Sequence, residues 1–250
     1  MLDYMHIIKE DIFKDGTNIV KEGDHGKWMW VIFEGVAKVT KETANGPLEI
    51  ARLGEGCFIG TFKALLFGEY SRSATVTAEG DVRLCLLEAD PLYNEYSSLS
   101  PLFRQLLLSL DGRLRAVTEK TVQLFLKKDN DEKILKGKKL LLKKGAASED
   151  LCMIKEGQAH IIGQTKNGYF NLVTLGRGDV FGYFPFVDVG HEPRSSSVLA
   201  SGDLQVEKLD VQSLQEEYNK FSTTFRNMIY YLGTSIFMTT KLAYHYHRRK

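Results

Sequence analysis

Apolar and polar positions along this chain follow two periods, and the whole pattern occurs twice. Short apolar runs alternate with turn signals in TNIVKEGD, KWMWVIFEGVAKVT, LEIARLGEG, SATVTA and VRLCLLEAD. That spacing predicts the strands of a small antiparallel β-barrel or jelly roll. The glycines in EGD, EGV and GEG mark turns that need positive φ or tight closure. From about Pro101 to Lys127 the period changes: Phe103, Leu107, Leu110, Leu114, Val117, Thr121 and Leu124 are spaced alternately by four and three. This heptad seam predicts a long helix packed lengthwise on another helix. Pro101 suits its first turn. Leu106 and Val122 widen the stripe, so one flank is expected to pack on its own barrel. Gly112 inside it costs about 1 kcal/mol relative to Ala and marks a close approach or a bend. KKDNDEK (127–133) reads as a charged linker. A last helix is expected from Asn219 to His245, with Phe221, Phe225, Met228 and Leu232 on one stripe. Both stripes fit core packing or helix pairing, within the chain or between chains.

The repeat has a fixed offset of 122. It relates Gly23 to Gly145, Gly35 to Gly157, Gly56 to Gly178 and Gly60 to Gly182. The same shift relates Ile32 to Ile154, Glu34 to Glu156, Ala37 to Ala159, Arg72 to Arg194, Val76 to Val198 and Leu87 to Leu209. An ungapped match of this length predicts two copies of one domain. The expected fold is mainly β with helices: two tandem jelly-roll-like β-barrels, each followed by a long helix. The expected domains are residues 1–128 and 129–250.

Composition narrows the function. The 250 residues carry 33 Lys+Arg against 32 Asp+Glu, a net charge of +1, which argues against nucleic acid held by global charge. The N-terminus lacks an apolar signal region, and only 14 uncharged residues separate Arg226 from Lys241, where a spanning helix needs about 20. No membrane is expected as a partner, and the location is read as cytoplasmic. Cys57, Cys85 and Cys152 are scattered and form no CxxC, so neither a disulfide framework nor a metal site is expected. There is no GxSxG, HExxH or Walker loop, and no catalytic residue is assigned. His160, on a predicted strand, reads as a packed or edge histidine. The terminal HYHRRK reads as a solvated basic end. His25, His160 and His191 have no axial-ligand spacing.

The chemistry concentrates in GEGCFIGTFKALLFGEYSRSATV (54–76) and its second copy GRGDVFGYFPFVDVGHEPRSSSV (176–198). A Gly leads into a short apolar stretch, and an Arg with small residues follows. Backbone N–H groups and a guanidinium fork together make an anion cradle. These residues resemble the cassette of the cyclic nucleotide-binding domain family, and the resemblance covers nearly the whole chain in tandem. The family has Phe-Gly-Glu followed, about ten residues later, by Arg and small residues. Here the matching residues are Ile59-Gly60-Thr61 with Arg72-Ser73-Ala74, and Phe181-Gly182-Tyr183 with Arg194-Ser195-Ser196.

The resemblance implies that the Arg binds the cyclic phosphate and that the Glu binds the ribose 2′-hydroxyl. Both copies lack that Glu, having Thr61 and Tyr183 instead. Losing a hydrogen bond to a charged group costs about 1.5–3 kcal/mol, roughly ten- to a hundredfold in affinity. Thr61 can reach a hydroxyl directly or through water, whereas Tyr183 would fill the sugar space. The better candidate site is therefore Gly60, Arg72, Ser73 and Ala74, with Thr61 toward the ribose. The weaker one is Gly182, Tyr183, Arg194 and Ser195. GRLRAVTEKTVQLFL (112–126) is similar to the dimerisation helix of the catabolite activator family, which makes Thr118 a candidate base contact and suggests a bacterial source; a solvated helical Thr fits equally. The implied ligand is cyclic AMP, cyclic GMP or a similar small anion, with no other cofactor.

The place of that family's helix-turn-helix is taken by the second barrel, so direct DNA binding is not expected. The tandem also resembles regulatory subunits of cyclic-AMP-dependent protein kinase, but the chain starts directly at the first barrel and its cassettes are altered. The expected role is a sensor that signals through its helices, as a homodimer or to a protein partner. Two alternatives stay open. Both cassettes are degenerate and the chain is a dimerisation or interaction module; or the aromatic run Tyr183, Phe184, Pro185, Phe186 marks a different small ligand.

Overall fold

A computed structural model describes residues 7–26, 28–60, 63, 70–128, 131–187 and 196–249. The first β-rich part comprises β1 (Ile7–Phe13), β2 (Asn18–Val20), β3 (His25–Gly26), β4 (Trp30–Lys41), β5 (Leu48–Leu53), β6 (Phe58–Ile59), β7 (Tyr70–Ser71) and β8 (Thr75–Leu87). Helices α1 (Ala89–Ser98), α2 (Pro101–Phe125) and α3 (Asp131–Leu135) follow. The second part has β9 (Lys139–Leu142), β10 (Leu151–Glu156), β11 (Ala159–Thr165), β12 (Gly168–Leu175), β13 (Val180–Gly182), β14 (Ser197–Ala200) and β15 (Gln205–Lys208). Helices α4 (Val211–Tyr218) and α5 (Thr223–Arg248) complete the chain. The fold is mainly β with helices, in two jelly-roll-like copies.

The 122-residue offset holds bond by bond. Ile32 N–H donates to Cys57 O at 2.9 Å, and Ile154 N–H donates to Asp179 O at 2.9 Å. Gly56 N–H donates to Ile32 O, and Gly178 N–H to Ile154 O. The pairings Trp30–Ile59 and Trp30–Leu86 recur as Cys152–Phe181 and Cys152–Lys208. One difference is local. β4 runs unbroken through Gly35, whereas Gly157 separates β10 from β11. Both glycines have positive φ, +96° and +74°. An added Cβ would come within 2.5 Å of Asp81 O at Gly35 and 2.8 Å of Asp203 C at Gly157. The turn therefore excludes a side chain in both copies.

Each copy has its own core. Ile19, Ile32, Ala37, Leu53, Val76 and Leu84 form that of the first; Ile154, Ile161, Phe170, Leu172, Phe181 and Val198 are among those of the second. The chain divides into two compact units, Met1–Ser100 with Phe221–Tyr231 and Pro101–Lys220 with Leu232–Lys250. The second of these units includes α2, which packs on β12 and β13. Its seam residues Phe103, Leu107, Leu110, Val117, Thr121 and Leu124 are buried. A second, polar stripe ties it to the turn before β13. Gln105 Nε2 donates to Gly178 O at 3.0 Å, Ser109 Oγ to Asp179 Oδ1 at 3.0 Å, and Arg113 Nη2 to Val180 O at 2.5 Å. The helix read as a flank of the first barrel is thus latched to the second.

Two further expectations change. The charged linker contains α3, where buried Asp131 pairs with buried Lys120 at 2.6 Å. The end of the chain is not a solvated tail, since α5 continues to Arg248 and His247 is buried. The His247 ring stacks on Phe170 at 4.3 Å, and its Nδ1 lies 2.7 Å from Thr165 Oγ1. Stacking and that hydrogen bond dock the last helical turn on the β11–β12 hairpin. His160 is buried on β11, in line with its reading as a packed histidine. Among the described residues no helix is long and apolar enough to cross a membrane, which says nothing of membrane β-barrels.

Candidate functional site

The first cassette starts where β6 pairs with Trp30 and Val31 of β4. Gly60 follows with φ +134°, and a Cβ there would lie 3.2 Å from Met29 Cγ. The returning strand β7 pairs with β3, matching Ser71 to His25 and Tyr70 to Gly26. This delivers Arg72 to the turn before β3. Arg72 N–H donates to Asp24 O at 2.7 Å, and Gly23 N–H donates to Arg72 O at 2.9 Å. Its guanidinium Nη2 donates to Trp28 O at 2.8 Å and its Cζ lies 5.9 Å from the Trp30 ring. Gly26 leaves room for it: a Cβ there would sit 3.0 Å from Nη2.

The electrostatics of Arg72 are one-sided. The residue is half-buried, and no carboxylate among the described residues pairs with it. Burial pulls its pKa below the ordinary arginine value, but arginine stays charged in proteins. Beside it, the N–H groups of Ser73 and Ala74, both on half-buried residues, have no acceptor among the described residues. Buried backbone donors are normally paired, and adjacent unpaired N–H groups form an anion-binding concavity. The arrangement offers a positive charge and two amide donors to an anionic oxygen.

The structure thus brings Gly60, Arg72, Ser73 and Ala74 into one part of the first barrel. Thr61, Arg194 and Ser195 lie outside the described residues. Thr118 belongs to the other compact unit, and its hydroxyl donates to Leu114 O of its own helix at 2.9 Å.

In the second copy Gly182 has φ +115°, and a Cβ would come within 2.1 Å of Asp150 O. Tyr183 N–H donates to Asp150 O at 3.0 Å. The aromatic run turns inward: Phe184 and Phe186 are buried. Phe186 stacks on Tyr218 at 5.1 Å and lies 5.3 Å from Phe103. These rings are core.

Sequence reasoning missed two polar devices. The stripe Gln105, Ser109, Arg113 was signalled by its four-residue spacing on an apolar helix. The other is Lys41, whose Nζ contacts both Glu22 Oε1 at 2.5 Å and Ser73 O at 2.7 Å. No local pattern announces it, because 19 and 32 residues separate the partners.

The description "Cyclic nucleotide-binding domain" matches residues 10–98 and 132–221, well over half of the chain. The chain belongs to this family, in two tandem copies. A cGMP-dependent protein kinase of Toxoplasma gondii is 46% identical over 67 residues, which is 27% of this chain and 6% of the kinase. A cAMP-dependent protein kinase regulatory subunit of Mucor circinelloides f. lusitanicus is 33% identical over 75 residues, 30% of this chain and 17% of that subunit. The chain therefore covers only a small part of these relatives' length. Among solved structures, the regulatory domain of Toxoplasma gondii PKA with cAMP is 19% identical; the match covers 83% of this chain and 80% of that one, with a TM-score of 0.32.

Proposed function

We propose that the first domain binds a cyclic nucleotide, cyclic AMP or cyclic GMP, through its phosphate, and that the chain is a non-catalytic regulatory sensor of the cytoplasm. Arg72 and the Ser73 and Ala74 N–H groups hold the phosphate, and Gly60 lets the backbone approach it. Thr61 faces the ribose in this reading. One observation carries it: among the described residues, a half-buried guanidinium without a carboxylate partner stands beside two amide donors without acceptors. Such a set is satisfied by an anion. The family membership and the named ligands of the relatives point to the same class of anion.

For the second domain, the inward packing of Phe184 and Phe186 favours a different role. It serves as a packed interaction module, contributing to a homodimer or a protein partner. Titration calorimetry with cyclic AMP and cyclic GMP tests both readings. The expected result is one bound nucleotide per chain, weakened at least about ten- to a hundredfold in Arg72→Ala and unchanged in Arg194→Ala. No heat from the wild type at millimolar nucleotide would overturn the first reading. Two bound nucleotides would overturn the second.

A further inference from the structure

We infer that Lys41, held by Glu22, is a positioning residue that fixes the direction of the phosphate-facing amides of the first cassette; this rests on the cyclic-nucleotide reading of that cassette. Lys41 Nζ donates to Ser73 O at 2.7 Å and to Glu22 Oε1 at 2.5 Å. Glu22 is fixed in turn: its Oε2 accepts from Glu42 N–H at 2.9 Å, and its own N–H donates to Thr75 Oγ1 at 3.0 Å. Both charged side chains are mostly buried, with 18% and 22% of their surface exposed. A screened surface pair holds little geometry, but a shielded pair with extra hydrogen bonds holds a defined one.

A trans peptide points its C=O and the next N–H in opposite directions. Lys41 draws the Ser73 carbonyl toward itself, which turns the Ala74 N–H away from Lys41. The preceding peptide is pinned likewise, because Gly23 N–H holds Arg72 O and so orients the Ser73 N–H. The two amides without acceptors among the described residues are therefore the two whose peptide planes are locked through the carbonyl. Fixing donors before the ligand arrives removes an ordering cost from binding.

The repeat provides an internal control. By the 122-residue offset, Lys41 corresponds to Gly163 and Glu22 to Lys144. A side chain at Gly163 is excluded, since a Cβ would fall 2.4 Å from Phe170 Cε1 and 2.9 Å from Tyr244 Cζ. Lys144 Nζ instead lies 5.4 Å from the Tyr244 ring. Yet the neighbouring bond is kept, for Lys144 N–H donates to Ser197 Oγ at 2.8 Å as Glu22 N–H does to Thr75 Oγ1. The Lys–Glu pair behind the carbonyl lock is thus carried by the first copy and not by the second.

The test compares wild type, Lys41→Met, Lys41→Arg and Glu22→Gln in the full chain by two readouts. Without ligand, amide order parameters at Ser73 and Ala74 should fall from about 0.85 to below about 0.6 in Lys41→Met and recover in Lys41→Arg. With ligand, Lys41→Met should bind cyclic AMP about tenfold more weakly. It should also compress the preference between the two phosphorothioate diastereomers of cyclic AMP, which differ only in which phosphate oxygen is replaced. A variant that is merely less stable would weaken both diastereomers alike. Unchanged order parameters in Lys41→Met would overturn the inference whether or not nucleotide binds, and so would an unchanged diastereomer ratio. If Ser73 and Ala74 become disordered in Lys41→Met while the wild type binds no nucleotide, the lock stands and the cyclic-nucleotide reading falls.

Discussion

The two copies share one strand frame and surround it with different side-chain contacts. Their strand pairings and turn hydrogen bonds coincide at the 122-residue offset, from Ile32–Cys57 to Ile154–Asp179. The described residues around the two cassettes make different contacts. The first copy presents Arg72 with Ser73 and Ala74 N–H groups that have no acceptor among the described residues, over a Lys41–Glu22 support. The second packs Phe184 and Phe186 against Phe103 and Tyr218 and is latched by Gln105, Ser109 and Arg113. A glycine-defined frame constrains the backbone at a few positions and leaves the side chains between them free to change. Both copies therefore share the family's frame, while the contacts made between the frame positions differ.

The largest expected effect tests the packed character of the second copy. Phe184→Ala removes a buried ring that contacts Phe186 and should destabilise the second unit by about 3–5 kcal/mol, seen in urea unfolding. Nucleotide affinity of the first cassette should stay within about twofold under native conditions. If the variant instead loses its only nucleotide site, the division of roles between the copies is wrong.

A paired glycine test sharpens the comparison. At Gly182 an Ala Cβ meets a backbone carbonyl, Asp150 O, at 2.1 Å, and the backbone must move. At Gly60 the closest atoms belong to Met29, at 3.2–3.3 Å, so a smaller shift suffices. Both positions have positive φ. Gly182→Ala should cost about 2–4 kcal/mol and Gly60→Ala about 1–2 kcal/mol, compared by thermal or urea unfolding. Gly60→Ala should carry the larger loss of nucleotide affinity. The reverse order of affinities would move the binding site to the second copy.

These glycines explain why so much of the frame is legible in the sequence. Backbone with positive φ favours glycine in both copies, so Gly35/Gly157 and Gly60/Gly182 mark the register of the repeat in the residues themselves. The heptad of α2 is equally legible as a seam, and its burial agrees. Its partner is not. Which barrel a helix joins depends on long-range polar bonds such as Arg113 to Val180 O, 67 residues apart. The proposed site is legible at Arg72, Ser73 and Ala74 because they sit in one contiguous motif. Lys41 and Glu22 are invisible there because their role arises from strand pairing that brings them to Ser73. The end of the chain departs from its composition for a similar reason: a basic cluster suggests solvent, but His247 has an aromatic face that Phe170 covers.

The smallest expected effect concerns His160 and separates the copies by pH. Its first-copy counterpart at the 122-residue offset is Lys38, half-buried, whereas His160 is buried. Nδ1 of His160 lies 3.1 Å from Thr174 Oγ1, and Nε2 has no hydrogen-bond partner among the described residues. Burial, and secondarily the positive charge of Lys138, hold its pKa below the ordinary histidine value. The folded state therefore resists a proton that the unfolded chain accepts near pH 6.5. Below that pH the unfolded state binds more protons, so stability is full above about pH 6.5 and falls as pH drops toward the lower folded pKa. One such group can contribute a slope of at most about 1.4 kcal/mol per pH unit. Unfolding free energies at pH 7.5 and 5.5 should therefore differ more in wild type than in His160→Gln, which keeps a polar partner for Thr174 but does not titrate. An equal pH dependence in the two proteins would mean that His160 takes up its proton in the folded state, and that the second copy holds no buried charge penalty that the first lacks.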